Sequence, residues 1–213
     1  LPNTPEYLSL FYGIWQAGAV AVPINAKLHP KELSWIIDDA QAHVVVVSDE
    51  SYEFVKGTIG RCTIVALSEL RSQMKTETLE QFGVVERAPS DLAWLFYTSG
   101  TTGGPKGALL PHRTLLGHIP GVEIPHEFLS SSEPVTDLFW TPADWAWIGG
   151  LFDVLLPAWH FGIPVVSYRS QKFDPEVTFD LISKLEIKNT FLPPTALKMM
   201  KSFNPSKTVD DAI

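Results

Sequence analysis

The first forty residues carry two helical patterns. Asn3-Thr4-Pro5-Glu6 combines a capping residue, a proline allowed in the first turn and an acid that the helix dipole favours. The apolar stretch behind it predicts a helix that runs to about Ala17 and ends at Gly18. His29-Pro30-Lys31-Glu32 opens a second predicted helix, with Asp38-Asp39 as its solvated end. The apolar face of this second helix would hold Leu33, Ile36 and Ile37.

Short continuous apolar runs predict strands, and the first of them is expected to be buried on both faces. The runs are His43–Val47, Cys62–Ala66, Leu92–Tyr97, Ile163–Tyr168 and Ile187–Leu192. Between Leu70 and Ser90 the chain is more polar, which predicts a loosely packed helix and a linker. Asp174-Pro175-Glu176 opens a helix between the last two predicted strands, and Pro193-Pro194-Thr195 opens a final helix. This alternation predicts an α/β fold in which helices flank mainly parallel sheets.

Composition narrows the class of protein. The chain has 213 residues, 45% hydrophobic and 19% charged, which suits one globular domain or a large part of one. Its formal charge is −8 and neither half is basic, so nucleic-acid binding is not expected. The longest apolar run, Leu8–Ile24, contains Gln16 and Pro23 and lacks a basic flank, so neither a membrane span nor a signal peptide is expected. The single cysteine, Cys62, predicts a small buried hydrophobe in a cytoplasmic protein.

One segment, Tyr97–Gly107, has the composition of an anion-binding loop. It holds four glycines, four serine or threonine side chains and one lysine in eleven residues, directly after a predicted strand. Glycines let backbone N–H groups approach a ligand, hydroxyls add donors, and Lys106 adds a positive charge. A flexible linker has a similar composition. A linker, however, does not require Pro105 to stiffen the chain beside the only lysine of the loop.

Three better-known loops do not fit this segment. A Walker A loop requires Ser or Thr after its lysine, whereas Gly107 follows Lys106 here. The dinucleotide-binding pattern G-x-G-x-x-G is missing from the loop. The G-x-S-x-G elbow of serine hydrolases is also missing, because Tyr97 and Thr98 precede Ser99.

The loop resembles the signature YTSGTTGxPKG of the adenylate-forming (AMP-binding) superfamily, and all ten fixed positions match. This superfamily includes acyl-CoA synthetases, firefly luciferase and the adenylation domains of peptide synthetases. Gly13–Asn25 and Asp91-Leu92-Ala93 are also similar to family segments. The resemblance implies that residues 1–213 form an incomplete N-terminal adenylation domain, with the small C-terminal domain absent. Because the chain begins at Leu1 without a methionine, we expect it to be a piece of a longer protein.

The resemblance also implies roles for the residues of the loop. The β- and γ-phosphates of ATP would be bound by Thr98, Ser99, Gly100, Thr101, Thr102 and Gly103. Lys106 would neutralise charge beside them, and Lys106 and Thr98 are the predicted catalytic residues. The implied substrates are a small carboxylic acid, ATP and coenzyme A, with Mg²⁺ accompanying ATP. The adenine and ribose sites would lie beyond Ile213, so the chain alone is expected to be nearly inactive.

A second segment, Trp140–Gly150, is rich in tryptophan and glycine. Its residues allow either a core helix with bulky side chains or an apolar pocket floored by glycine. The segment is similar to the acetyl-, propionyl- and medium-chain acyl-CoA synthetases, in which it lines the acyl pocket. This resemblance implies that the tail of the acid meets Trp147, Ile148, Gly149 and Gly150. Glycine at 149, where the acetate enzymes usually carry threonine, implies space for more than two carbons.

The remaining polar residues and the alternatives complete the predictions. The six histidines have no metal-ligand spacing, so no metal site is predicted. His112, at a predicted helix start, is a candidate for orienting the loop. Asp144 and Asp153, among apolar neighbours, are expected to accept hydrogen bonds. Besides a fatty acid-CoA ligase, the sequence allows an adenylation domain that loads a carrier protein or a non-catalytic nucleotide-binding module. An uncovered sheet edge would favour homo-oligomers.

Overall fold

The computed structural model describes residues 1–60, 62–76, 83–98, 104–129, 137–168 and 172–203. The chain divides into two compact units, Leu1–Thr114 and Leu115–Ile213. None of the helices in these described ranges is both long enough and apolar enough to cross a membrane.

The first unit contains four helices and four strands among its described residues. In chain order they are α1 (Pro5–Gln16), α2 (Pro30–Asp39), β1 (Val44–Val47), α3 (Asp49–Thr58), β2 (Thr63–Ala66), α4 (Leu67–Thr76), β3 (Leu92–Thr98) and β4 (Lys106–Pro111). Strands β1 and β2 pair in parallel, whereas β3 and β4 form an antiparallel hairpin.

Helix α1 ends where its sequence predicts. Gly18 has φ +71°, and its N–H and that of Ala19 donate to the carbonyls of Trp15 and Ile14 at 2.8 and 2.9 Å. These two bonds satisfy carbonyls that the end of a helix otherwise leaves without partners. A side chain at Gly18 would be strained, and its Cβ would also lie 2.7 Å from Val85 Cγ1.

A small core lies between α2, α3 and the β1–β2 pair. Its buried members are Ile37, Val47, Val55 and Ile59. Cys62 is partly buried and packs against this cluster, in agreement with its prediction as a small hydrophobic residue. Burial also raises the pKa of its thiol. The prediction that the first strand is buried on both faces is wrong, because Val44 is 58% exposed and of β1 only Val47 is fully buried.

The hairpin β3–β4 is anchored by β3. Ala93, Trp94 and Phe96 are buried, and Ala21 bridges Trp94 in parallel by backbone hydrogen bonds of 2.9 Å. The strand predicted at Leu92–Tyr97 is therefore confirmed. Strand β4 has no comparable apolar pattern, and it is a strand because β3 supplies its backbone partners.

The described elements of the second unit are mostly helical. They are α5 (Arg113–Glu123), which crosses the boundary between the units, a 3₁₀ turn (Ile124–His126), β5 (Phe139–Trp140), α6 (Ile148–Gly150), a π-helical turn (Leu151–Leu155), α7 (Leu156–His160), α8 (Pro175–Leu185), β6 (Asn189–Thr190) and α9 (Pro194–Ser202). One buried cluster of this unit comprises Val122, Leu129, Phe139, Val154, Ala158 and Ile163. Asp174 caps α8 by accepting the N–H of Glu176 at 2.9 Å, as predicted.

Two strands predicted in this unit are much shorter than expected. Within the described part of 163–168, only Val165 forms a β-bridge, to Phe139. The run 187–192 contributes only the two residues of β6, which pair in parallel with β5. Apolar runs of this length are buried by packing against helices as readily as by strand pairing, so the run alone does not fix the extent of a strand.

Candidate functional site

The hairpin brings together the two described ends of the glycine-rich loop. Thr98 at the end of β3 pairs with Lys106 at the start of β4, and both residues are exposed. Antiparallel partners lie about 4.5 to 5.5 Å apart between Cα atoms, so the hydroxyl and the ammonium group leave the sheet at the same place. Ser99, Gly100, Thr101, Thr102 and Gly103 lie outside the described residues, and their roles stay predictions.

Gly107 makes room for the side chains of β3. It pairs with Tyr97, and a Cβ at Gly107 would lie 2.7 Å from Leu95 Cδ1 and 3.5 Å from the Tyr97 ring. A larger residue would force Leu95 to shift. The glycine of the PKG motif therefore lets β4 lie close against β3 directly beside Lys106.

Helix α2 contacts the same end of the hairpin. The Tyr97 hydroxyl donates to Asp39 Oδ2 at 2.7 Å, and the Trp35 ring meets the Tyr97 ring edge-on with centroids 5.9 Å apart. The Trp35 ring also lies 3.5 Å from where a Cβ of Gly104 would be. Burial and then the Asp39 carboxylate raise the pKa of the Tyr97 hydroxyl, so it remains a donor at neutral pH.

Sequence reasoning missed this contact, because Asp38-Asp39 was interpreted as a solvated helix end. One local signal was available: an acid at the C-terminal end of a helix is disfavoured by the helix dipole, so it often has a partner elsewhere. The partner itself lies 58 residues away in sequence, and no local pattern identifies it.

His112 lies at the other end of the hairpin from Lys106. Its ring contacts Trp15 and Trp94, with centroids 6.0 and 6.3 Å away. Strand β4 separates it from Lys106 by six residues, about 20 Å of extended chain. This position argues against the candidate role of His112 in orienting the loop; its ring packs against Trp15 and Trp94.

The predicted acyl-pocket segment contains a turn followed by a helix. Trp145 is 2% exposed and Trp147 is 54% exposed, so the two tryptophans point to different environments. Neither tryptophan belongs to a helix, since α6 begins at Ile148, which is itself partly exposed. This arrangement excludes a core helix that carries both tryptophans.

The two glycines of α6 are buried for different reasons. A Cβ at Gly149 would lie 3.0 Å from Trp147 Cζ3 and 3.1 Å from Phe191 Cζ, so two aromatic rings cover this position. A Cβ at Gly150 would lie 2.5 Å from the backbone oxygen of Asp144. Gly149 thus faces movable side chains, and Gly150 faces fixed backbone. Phe191, which lies in the predicted strand Ile187–Leu192 and was not predicted to line the pocket, belongs to this cluster.

Buried and half-buried polar groups hold the segment in place. The Thr141 hydroxyl, 1% exposed, donates to the Phe191 carbonyl at 2.8 Å and accepts the Ala143 N–H at 3.0 Å. Asp144 Oδ1 accepts the N–H of Ala146 at 2.8 Å, and Asp153 Oδ1 lies 2.8 Å from His118 Nε2. The predicted roles of both aspartates as hydrogen-bond acceptors are confirmed.

Among the described residues, neither a group of metal ligands nor the large apolar cavity of the first unit involves Thr98 and Lys106. Among the residues that the structure describes, no group of three or more His, Cys, Asp or Glu side chains is placed to hold a metal ion. An apolar cavity of about 1030 Å³ lies in the first unit, lined by α1, residues 19–26 and β1. Thr98 and Lys106 do not line it.

Comparisons with known proteins identify the family. The family described as AMP-binding enzyme matches residues 1–212. The PKS-NRPS hybrid synthetase ATPKS of Aspergillus niger is 28% identical over 207 residues, which cover 94% of this chain and 11% of that protein. The mitochondrial acyl-coenzyme A synthetase ACSM2 of Rattus norvegicus is 23% identical over 211 residues, covering 94% of this chain and 36% of that protein. The crystal structure of Brucella canis acyl-CoA synthetase has a TM-score of 0.80 at 25% identity, covering 94% of this chain and 38% of that one.

These comparisons confirm the predicted α/β fold. The helices with parallel and antiparallel strands are those of the N-terminal domains of acyl-CoA synthetases. The chain spans little more than a third of the length of the rat and Brucella canis proteins.

Proposed function

The chain belongs to the AMP-binding enzyme family, and from that premise we propose that it is part of an enzyme that activates a carboxylic acid with ATP and transfers the acyl group to coenzyme A. The observation that carries the proposal is the pairing of Thr98 with Lys106 at the loop end of the β3–β4 hairpin. A glycine-rich segment between them would supply backbone N–H groups to phosphate oxygens.

In the first step an oxygen of the carboxylate attacks the α-phosphorus of ATP. The bond from that phosphorus to the bridging oxygen breaks, and pyrophosphate leaves with the electron pair. Negative charge therefore grows on the leaving group, and we assign the Lys106 ammonium and the Thr98 hydroxyl to bind it. Losing one preorganised donor of this kind typically costs about 2.7 to 4 kcal/mol, or 10² to 10³ in rate.

In the second step the thiolate of coenzyme A attacks the acyl carbon of the adenylate, and AMP leaves. Mg²⁺ would accompany ATP and neutralise phosphate charge. No group of three or more His, Cys, Asp or Glu side chains that could hold a metal ion occurs among the described residues. The described residues bear on the first step only.

The cluster around α6 supports an acyl pocket. Trp147 and Ile148 offer partly exposed apolar surface, and Gly149 and Gly150 keep the start of α6 free of side chains. Because Gly149 is covered by the rings of Trp147 and Phe191, an acyl chain longer than acetyl would enter by displacing rings rather than backbone.

A second acceptor is a carrier protein. The observation that favours this acceptor is the similarity of the chain to a PKS-NRPS hybrid synthetase. The two candidates differ only in the thiol that captures the adenylate.

Exchange of labelled pyrophosphate into ATP tests the proposal. The assay uses the longer protein that contains this chain, with acids of two to twelve carbons, and the 213-residue chain alone as a second sample. We expect acid-dependent exchange by the longer protein and almost none by the chain alone. Lys106→Ala should lower the rate about 10²- to 10³-fold, whereas Lys75→Ala, which removes an exposed charge on α4 of the same unit, should leave it unchanged.

The outcome also separates the two acceptors. Formation of an acyl-CoA thioester supports the first, and transfer only to a phosphopantetheine-bearing carrier protein supports the second. Absence of exchange with every acid would refute both.

A further inference from the structure

Two residues of α2 face the glycine-rich hairpin. Trp35 and Asp39 are four residues apart, so they lie on the same face of the helix. Asp39 accepts the Tyr97 hydroxyl at 2.7 Å, and the Trp35 ring contacts both Tyr97 and the position of Gly104. One helix face therefore touches the hairpin on both sides of the residues that join Thr98 to Gly104.

These contacts are not needed to hold α2 in the core. Ile36 and Ile37 are 2% and 3% exposed and already bury the apolar face of the helix. Trp35, by contrast, is 41% exposed, and Asp39 is an acid at the helix end where the dipole disfavours negative charge. A large aromatic side chain is thus partly exposed and an acid lies at the negative end of the helix dipole, and both side chains contact the hairpin.

Tyr97 occupies the decisive place between α2 and the site. It directly precedes Thr98 and pairs with Gly107, which directly follows Lys106. Fixing the Tyr97 side chain therefore fixes the backbone next to both described ends of the loop. The bond that fixes it has a charged acceptor, the stronger class of hydrogen bond.

We propose that Trp35 and Asp39 are positioning residues for nucleotide activation: they hold Tyr97, and through it Thr98 and Lys106, in the geometry that binds the phosphates of ATP. The inference rests on the proposed function. Neither residue touches substrate, and both act through Tyr97. A misplacement of about 1 Å in such a site can cost as much as 10²-fold in rate.

The test uses a double-mutant cycle in the longer protein that contains this chain. The variants are Asp39→Ala, Tyr97→Phe and the two combined, with Asp39→Asn as the conservative variant that keeps an acceptor oxygen. Asp38→Ala is the matched control, because it removes the same charge from the adjacent, exposed position of the same helix. Trp35→Ala and Trp35→Phe form a second pair, since phenylalanine keeps a ring against Tyr97.

Two readouts separate positioning from folding. The first is pyrophosphate exchange, with KM for ATP, KM for the acid and kcat determined separately. We expect Asp39→Ala and Tyr97→Phe each to raise KM for ATP about tenfold, the low end for a lost bond to a charged group. The double variant should be no worse than either single one, KM for the acid should be unchanged, and Asp39→Asn should recover most of the loss.

The second readout is amide hydrogen exchange on the same proteins. Asp39→Ala should speed amide hydrogen exchange in β3 and β4 and leave the hydrogen exchange of β1 and β2 as in the wild type. Asp38→Ala should leave hydrogen exchange unchanged in all four strands. Unchanged KM for ATP, strictly additive effects, or faster exchange throughout the first unit would overturn the inference. If the wild type shows no acid-dependent pyrophosphate exchange, the proposed function fails and with it the role in nucleotide activation. Amide hydrogen exchange then tests the structural part alone: faster hydrogen exchange confined to the hairpin supports the anchoring of Tyr97 by Asp39, and unchanged hydrogen exchange overturns it.

Discussion

Replacing Gly150 by alanine would place a methyl carbon 2.5 Å from the carbonyl oxygen of Asp144 and 3.0 Å from its carbonyl carbon. Carbon atoms pack best at about 3.5 to 4.0 Å, so this methyl group would overlap backbone that no side-chain rotation can move. The same carbonyl accepts the N–H of Trp147 at 3.0 Å. Relief therefore requires moving the turn that separates Trp145 from Trp147.

Two opposing contributions set the size of the effect. Alanine in a helix is more favourable than glycine by about 1 kcal/mol, and overpacking costs about 1 to 3 kcal/mol. Gly117→Ala is the matched control, because Gly117 lies in α5 of the same unit with nothing within 4 Å of its added Cβ. The helical gain is common to both variants, so Gly150→Ala should be less stable than Gly117→Ala by about 1 to 3 kcal/mol.

Urea unfolding followed by tryptophan fluorescence measures this difference. Four of the seven tryptophans lie between residues 140 and 159, so the signal reports on the second unit. The midpoint should fall in Gly150→Ala and rise in Gly117→Ala, with the slope unchanged in both. Equal free energies of unfolding for the two variants would refute the assignment of Gly150 to a close backbone contact.

Three further predictions concern the first unit. Gly18→Ala should destabilise the protein by at least about 1 kcal/mol, because an L-residue at φ +71° is strained. Gly13→Ala in α1, where an added Cβ has nothing within 4 Å, should instead stabilise the protein by about 0.5 to 1 kcal/mol. Thermal unfolding of the two variants checks these opposite signs. The hydroxyl and N–H of Ser68 lower the pKa of Asp49, so its ionised form contributes stability that is present at neutral pH and lost as the pH falls through that lowered value. Asp49→Asn should therefore have a smaller free energy of unfolding than the wild type at pH 7, and the difference should disappear in acid. Urea unfolding at a series of pH values measures this difference, and a difference that is constant with pH would contradict the prediction. Burial raises the pKa of Cys62, so its thiol should react with iodoacetamide at pH 8 far more slowly in the folded protein than in urea; equal rates would contradict its place in the core.

Local signals in the sequence identified several elements at close to their true bounds. The prolines of α1, α2 and α8 and the capping residues of α2 and α8 predict the first turns of these helices, and Gly18 predicts the end of α1, because each acts on the backbone within four residues. In α1 the predicted cap Thr4 makes no capping hydrogen bond through its side chain. The YTSGTTGxPKG segment likewise indicated the family on its own, since a loop that binds phosphates through its backbone depends on glycines at fixed spacing.

Features that depend on distant residues could not be predicted in this way. Strand β4, the reduction of 163–168 to one bridge and the burial of Trp145 but not Trp147 all depend on which segments pack together. Propensity along the chain is too weak to decide these outcomes, because burial and strand pairing outweigh it.

The candidate site shows the same division. The sequence alone predicts which residues bind phosphate, because their chemistry and spacing lie within eleven consecutive positions. Only the tertiary structure placed Thr98 opposite Lys106 and brought Asp39 to Tyr97 across 58 residues. A hydrogen bond over that separation forms only when the core of the first unit has brought α2 against the hairpin, and folding cooperativity rather than local preference decides that it does.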